Sequence, residues 1–427
     1  MSRNSLPKNL KNDARGLALK AFRALRQGKT GQEALDGALA GSSLPQAEKN
    51  LASELFYGVC RNRIRLDYIA NKFLAKPASL PAAMQDILNI ALYSLLFQQK
   101  IPAYAAINSA VEQVSQSYGK LSAVANGFLR NAQRRKDEIE NPAWYENGTF
   151  AGQAIYYSIP LLVAELWQSA YGLENAMNLL QRSNKRPWSG LLPGPAASKD
   201  VLLQLEKACD ARLDNGFCFA PGCLPENTLA LRNAGQVFSQ APASWHILHE
   251  LGLDKWQEPV WDCCAGFGGK TLALLRAGVN VELCSDVSEK RLSALAKNCE
   301  KFGVRVPGIM LADAARNSTS WDGNIVLDVP CSGLGVLGRR PDIVADMAKF
   351  AELRKLQGSI LAGMAAKLQP GRKLAYITCT LNPVENELAA REFLAENSNF
   401  SLCAEWQTPH EHLWLDGMYG VVLERKS

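Results

Sequence analysis

Val260-Trp-Asp-Cys-Cys-Ala-Gly-Phe-Gly-Gly-Lys-Thr-Leu-Ala-Leu-Leu275 is the stretch on which the fold turns. Val260–Ala265 reads as a strand, Gly266-Phe-Gly-Gly269 as a tight loop, and Lys270–Leu275 as the helix the loop opens. Glycines let the backbone approach a ligand closely, and a helix start presents N–H groups without partners inside the helix. Strand, glycine loop and helix begin a nucleotide-binding α/β unit, although a lone glycine-rich turn is as often purely structural.

Toward the C-terminus the same texture repeats. The apolar run Val281–Ser285 ends at Asp286, and a helical pattern follows over Glu289–Asn298. A carboxylate at the tip of a second strand can accept both hydroxyls of a ribose. Asp313 follows a third short run, where it meets an adenine amino group or, in the competing reading, caps a helix. The Gly-x-Gly-x-x-Gly spacing of dinucleotide enzymes is missing, so S-adenosylmethionine fits better than a nicotinamide cofactor. Its expected binding residues are Cys264, Ala265, Gly266, Phe267, Gly268, Gly269 and Lys270 in the loop, with Asp286, Asp313 and Asp328. The side chains of Cys264 and Cys284 are read as packing.

Two further strands carry cysteines at their ends. Ile325–Asp328 runs into Asp328-Val-Pro-Cys331-Ser, and Ala375–Thr378 into Cys379-Thr380, with Asn382-Pro-Val-Glu-Asn-Glu387 behind it. Ligands of an open α/β sheet collect beyond the carboxyl ends of its strands, so Asp328, Cys331 and Cys379 are expected to face one crevice. A single cysteine at a strand end is more commonly a small buried hydrophobe.

The front of the chain differs. From Asp13 to Arg135 apolar residues recur at helical spacing, and prolines at 45, 77, 81 and 102 stand where helices can begin. Three domains are expected: helices over 1–140, connecting helices with a small α/β subdomain over 141–235, and the cofactor domain over 236–427. Residues 1–140 hold 20 Lys and Arg against 11 Asp and Glu, a net +9, while the remainder nets −3. Such segregation suits a polyphosphate partner, although solvated helix faces give similar counts. Ile87–Phe97 is too short to span a bilayer, and Met1–Gly16 lacks the apolar stretch of a secretory signal, which points to the cytoplasm. Eleven cysteines, thinly spread and with no Cys-x-x-Cys, are expected to be reduced; the close pair His410 and His412 reads as a surface turn and no metal site is expected. A monomer is the default.

Asp-x-Pro-Cys-Ser and Thr-Cys-Thr followed by Pro-x-Glu-Asn resemble the signature of the RsmB/Sun family of RNA cytosine-5 methyltransferases. Glu54-Leu-Phe-Tyr-Gly-Val-Cys-Arg61, Leu66-Asp67, Ala105–Val111 and Asn126-Gly-Phe-Leu-Arg130 resemble NusB-type RNA-binding domains. The resemblance implies an all-α NusB-like domain followed by an α/β Rossmann-like class I methyltransferase domain acting on RNA, with ribosomal RNA the expected partner. It further implies that Cys379 attacks carbon 6 of a cytosine, that Cys331 assists release, and that Asp328 serves ring nitrogen 3. Arg61, Arg63, Arg65 and Arg130 are then candidate phosphate contacts, against ordinary solvated helix charge. An assembly factor that lost turnover, or a methyltransferase of DNA or protein, are the alternatives. Three places depart from the family pattern: Ala265-Gly-Phe-Gly-Gly replaces Ala-Ala-Pro-Gly-Gly, Ala241 replaces an acidic residue, and Trp188-Ser-Gly-Leu-Leu replaces a Leu-Arg-Val-Asn-like run.

Overall fold

A computed structural model describes residues 12–316, 319–343 and 347–426. Most of the N-terminal stretch read for a missing secretory signal lies outside the described residues. The chain divides into two compact units: one holds the chain through Asn184 with the short segment around Asp342, the other Lys185–Arg339 and the chain after it.

The first unit is helical. Of seven α-helices from Ala14–Arg26 to Ser122–Arg134, Ala82–Phe97 is the central one, buried on nearly every side. A helix apolar all round belongs in the middle of a bundle. Pro45, Pro81 and Pro102 each stand at a helix start, and Pro77 opens a 3-10 turn, as their spacing predicts. Thr30 and Glu33 form a reciprocal capping box at the start of Gly31–Leu39.

The helical unit does not stop near residue 140, because the aromatic segment after it packs onto it. Tyr145 is fully buried, and Phe150–Tyr156 and Leu161–Asn184 belong to the same unit. Proline and glycine at 142–148 mark a tight turn rather than a boundary between folding units.

In the second unit a small antiparallel sheet has the order β2-β3-β1-β4, from β1 (Ser189–Pro193), β2 (Ala211–Leu213), β3 (Gly216–Phe219) and β4 (Val237–Gln240). The Trp245 ring lies over it; a Cβ on Gly190 would come within 2.3 Å of that ring. The Trp188-Ser-Gly-Leu-Leu run therefore needs its glycine for packing.

The main sheet contains β5 (Val260–Asp262), β6 (Val281–Asp286), β7 (Gly308–Leu311), β8 (Asn324–Asp328), β9 (Lys373–Thr378), β10 (Phe400–Gln407) and β11 (Tyr419–Arg425). Their order is β10-β11-β9-β8-β5-β6-β7, with β5 to β9 parallel and β11 antiparallel to both neighbours. The chain runs outward from β5 to β6 and β7, then returns to β8 on the other side. The order thus reverses between β5 and β8, where a crevice opens for ligand. The buried faces of β8 and β9, Ile325–Leu327 and Leu374–Ile377, are almost wholly apolar, as parallel strands covered on both faces require. Among the described residues no helix is long and apolar enough to cross a membrane.

Candidate active site

The carboxyl edge of the parallel sheet carries a row of reactive side chains. In sheet order, Asp313 lies just past β7, Asp286 ends β6, Asp262 ends β5, Asp328 ends β8, and Cys379 follows β9. Register explains the alignment: Asp286 pairs with Leu311, and Asp328 with Ile377.

The loop after β5 is shorter in strand and longer in turn than its apolar residues suggest, because β5 ends at Asp262. Gly266 and Gly268 have φ of 55° and 83°, and Gly268 stands immediately before the helix Gly269–Arg276. A Cβ on Gly268 would reach Leu295 Cγ at 2.7 Å, so both conformation and space demand glycine there. Phe267, where the family has proline, is exposed, and its carbonyl accepts from Asn298 Nδ2 at 3.2 Å.

Asp286 fixes this loop. Its Oδ2 accepts the Gly266 N–H at 3.0 Å and its Oδ1 the Ser288 N–H at 2.9 Å, leaving lone pairs on both oxygens. Asp313 is exposed and folds onto its own turn, its Oδ1 accepting the Ala315 N–H at 2.9 Å. It caps a turn, not a helix. The side chain of Cys264, by contrast, is pushed up in pKa by burial, as are Cys263 and Cys284, and none of the three is an available thiolate.

Asp262 had no role in the sequence, where it reads as strand interior. It is fully buried; its Oδ2 accepts the Thr271 hydroxyl at 2.7 Å, and its Oδ1 has no hydrogen-bond partner among the described residues. Burial pushes it up to about 6, with the nearby Asp328 adding to the shift and the Thr271 hydroxyl opposing it. A buried carboxylate oxygen without a donor at the ligand end of a strand is suited to a cationic ligand group.

Lys270, from the first turn of the loop helix, donates from Nζ to Asp328 Oδ2 at 2.6 Å. Burial works against its charge, yet the Asp328 carboxylate more than compensates and holds Lys270 above the ordinary lysine range.

The two cysteines meet. Cys331 Sγ and Cys379 Sγ are 3.2 Å apart, and the Cys379 backbone N–H donates to Cys331 Sγ at 3.3 Å. Their surroundings are unequal. A hydrogen bond from Cys331 holds the Cys379 thiol below the ordinary range despite burial and the nearby Asp328 carboxylate, and the Lys270 ammonium acts in the same direction as that hydrogen bond. That hydrogen bond, then burial and the Glu385 carboxylate, push Cys331 well above it. The pair therefore favours the thiolate on Cys379 and the thiol on Cys331.

The four arginines fare differently. Arg65 is only 4% exposed; its guanidinium donates to Tyr145 Oη and the Ile139 carbonyl, both at 2.9 Å, and lies 4.0 Å over the Tyr156 ring. The expectation of a phosphate contact there is corrected: Arg65 holds the segment after residue 140 onto the bundle. Arg63 pairs with Asp67 at 2.8 Å and with buried Asp86 at 3.5 Å, so its charge is already answered within the fold. Arg61 is half-buried at the end of Gln46–Arg61, and Arg130 donates to Gln133 Oε1 at 3.2 Å.

Sheet order, glycine loop and carboxylate-tipped strands together define the class, a methyltransferase domain that follows a helical domain along the chain. Residues 252–414 match the family model for 16S rRNA methyltransferase RsmB/F, and residues 12–134 match that of the NusB family. A probable ribosomal RNA small subunit methyltransferase B from Synechocystis is 30% identical over 88% of this chain and 87% of its own length. The ribosomal RNA small subunit methyltransferase B of Escherichia coli is 30% identical over 85% and 86%. The crystal structure of PH0851 superposes with a TM-score of 0.73 at 20% identity, covering 98% of this chain and all of that one. The chain belongs to the RsmB family of methyltransferases.

Proposed function

We propose that this protein transfers a methyl group from S-adenosylmethionine to carbon 5 of an unpaired cytosine in small-subunit ribosomal RNA, through a covalent bond between Cys379 and carbon 6. The observation that carries the proposal is the pair of sulfurs 3.2 Å apart, one favoured as thiolate and the other as thiol, beside the cofactor loop. The names of the relatives support the RNA substrate.

The residues present fit the cofactor. Asp286 keeps free lone pairs for ribose hydroxyls, the unpartnered Oδ1 of Asp262 suits an ammonium, and Gly266, Gly268 and Gly269 present no side chains to a ligand. When bound, S-adenosylmethionine supplies an electrophilic methyl group on a sulfonium.

Carbon 5 of cytosine is too weakly nucleophilic to accept a methyl group unaided. The Cys379 thiolate adds to carbon 6, which places electron density on carbon 5. Asp328 is assigned to hydrogen-bond or protonate ring nitrogen 3 as charge develops there, and the Lys270 ammonium 2.6 Å from Asp328 offsets charge at that place. Once Cys379 is bonded to carbon 6, the hydrogen bond that holds Cys331 as a thiol is lost. Cys331 gives its proton to water and, as thiolate, takes the carbon 5 proton, directly or through water, while Cys379 leaves carbon 6 as a thiolate and the double bond of the ring re-forms. A cytosine stacked in a helix cannot reach these sulfurs, so the target is single-stranded or flipped out. The helical unit, with its net positive charge, is assigned to RNA binding, and the reduced thiols to a cytoplasmic setting.

Incubation with small-subunit ribosomal RNA and S-adenosylmethionine, followed by nucleoside mass spectrometry, should reveal 5-methylcytidine. Absence of that nucleoside with every RNA tried, alongside measurable cofactor binding, would favour an RNA assembly factor without turnover.

A further inference from the structure

Behind the two cysteines lies a carboxylate that the reaction does not touch. Glu385 is fully buried, and four neutral donors converge on it. The Ser332 N–H reaches Oε2 at 2.9 Å and Gln357 Nε2 the same oxygen at 2.8 Å, while Asn382 Nδ2 reaches Oε1 at 2.8 Å and the Ser332 hydroxyl also donates there. These donors come from three places: Ser332 adjoins Cys331, Asn382 follows Cys379 by three residues, and Gln357 belongs to the helix Met347–Ala365. Gln357 Nε2 also donates to the Pro330 carbonyl at 2.9 Å, so the residues on both sides of Cys331 are tied to Glu385 or to its partner.

We propose that Glu385 is a positioning residue for the two-cysteine reaction, its carboxylate binding the Cys331 loop to the Cys379 loop so that the two sulfurs face each other. The proposal rests on Cys379 attacking and Cys331 completing release. A buried carboxylate met only by neutral donors is costly for stability alone, and a site of this kind is retained where it fixes a geometry.

The two loops depend on Glu385 unequally. The Cys379 loop has ties of its own: the Thr378 hydroxyl donates to Asn386 Oδ1 at 2.7 Å, Asn386 Nδ2 to the Thr380 carbonyl at 2.9 Å, and Tyr376 Oη to the backbone carbonyl of residue 385 at 2.8 Å. All three survive substitution of the Glu385 side chain. The Cys331 loop keeps backbone ties at its two ends, from the Val329 N–H to the Ile377 carbonyl at 3.1 Å and from the Gly335 N–H to the Cys379 carbonyl at 3.2 Å. Between them Ser332, next to Cys331, is held besides the carboxylate by its 2.7 Å contact with Thr380 Oγ1. Loss of the carboxylate therefore frees Cys331 more than Cys379, and release suffers more than attack.

The test compares Glu385→Gln, of nearly the same volume, with the unsubstituted protein by two readouts. Without RNA, a diazenedicarboxamide oxidant takes two electrons and two protons from the thiols and leaves a Cys331–Cys379 disulfide, followed by peptide mass mapping. Glu385→Gln should slow this bridging by about tenfold or more, since misplacement of reacting groups by about 1 Å costs up to roughly a hundredfold. Bridging within about twofold of the unsubstituted rate overturns the proposal. With RNA and S-adenosylmethionine, Glu385→Gln should accumulate a covalent protein–RNA adduct although Cys331 is present, as Cys331→Ala does. Adduct in Cys331→Ala but none in Glu385→Gln overturns the positioning role. Adduct in neither, with bridging still slowed, overturns the covalent reading and leaves the positioning role supported. Should Glu385→Gln fail to fold, Ser332→Ala and Asn382→Ala remove one donor each, and each should slow bridging by a smaller factor; no slowing in either overturns the proposal.

Discussion

Asp262→Asn should make the ligand-free protein more stable and a poorer binder of its cofactor. Asp262 is fully buried with one oxygen unpartnered, and its pKa is about 6 in the fold against 3.8 for an ordinary aspartate. A carboxyl whose folded pKa is raised leaves the fold most stable below about pH 4 and costs stability as pH rises through 6. Two units at about 1.36 kcal/mol each give a penalty of roughly 3 kcal/mol above pH 7. The asparagine side chain has the same shape and escapes that penalty, whereas it loses the charge that would meet the ammonium of S-adenosylmethionine. Urea unfolding at several values between pH 4 and 8 reads the effect directly. The stability advantage of Asp262→Asn should be small at pH 4, grow with pH and level off above 7, while calorimetry shows cofactor affinity falling. A stability difference that stays flat with pH, or an advantage that shrinks as pH rises, would refute a buried uncompensated carboxylate at this site.

Four further outcomes follow from the same geometry. The rate of methyl transfer at saturating substrates should rise with pH through an apparent pKa below the ordinary thiol value, and Lys270→Met should move that pKa upward, because the ammonium favours the Cys379 thiolate; an unchanged profile contradicts the assignment. Arg65→Ala should lower the stability of the helical unit by about 2–4 kcal/mol in denaturant titration while leaving the salt dependence of RNA binding unchanged. Arg130→Ala should reduce the slope of log affinity against log salt by about 1 without loss of stability, if its guanidinium meets a phosphate. Gly268→Ala should abolish cofactor binding, measured by calorimetry, because φ is 83° and the new methyl group would overlap Leu295.

Much of the methyltransferase half is legible in the sequence because each short apolar run of the parallel sheet ends at a chemically distinctive residue. Asp328, Cys331 and Cys379 could be expected to face one crevice from their position at strand ends alone. Asp262 escaped notice because Trp261 and Cys263, buried on either side, make it look like strand interior. Only the turn that begins at Cys263 exposes its role. Arg65 was indistinguishable from Arg61 and Arg63 in the sequence, since the rings that bury it, Tyr145 and Tyr156, lie 80 or more residues later. The same distant packing carries the helical unit past residue 140 to Asn184. Glu385 could be read as part of a motif, but its four donors come from segments up to 53 residues away, a convergence that no local pattern records.

The unequal roles of the two cysteines are tested most directly by trapping. Purified Cys331→Ala and Cys379→Ala are each incubated with RNA and S-adenosylmethionine, and denaturing gels with mass spectrometry report covalent protein–RNA species. Cys331→Ala should accumulate an adduct through Cys379, and Cys379→Ala should form none; an adduct that persists without Cys379 would contradict the assignment of the nucleophile.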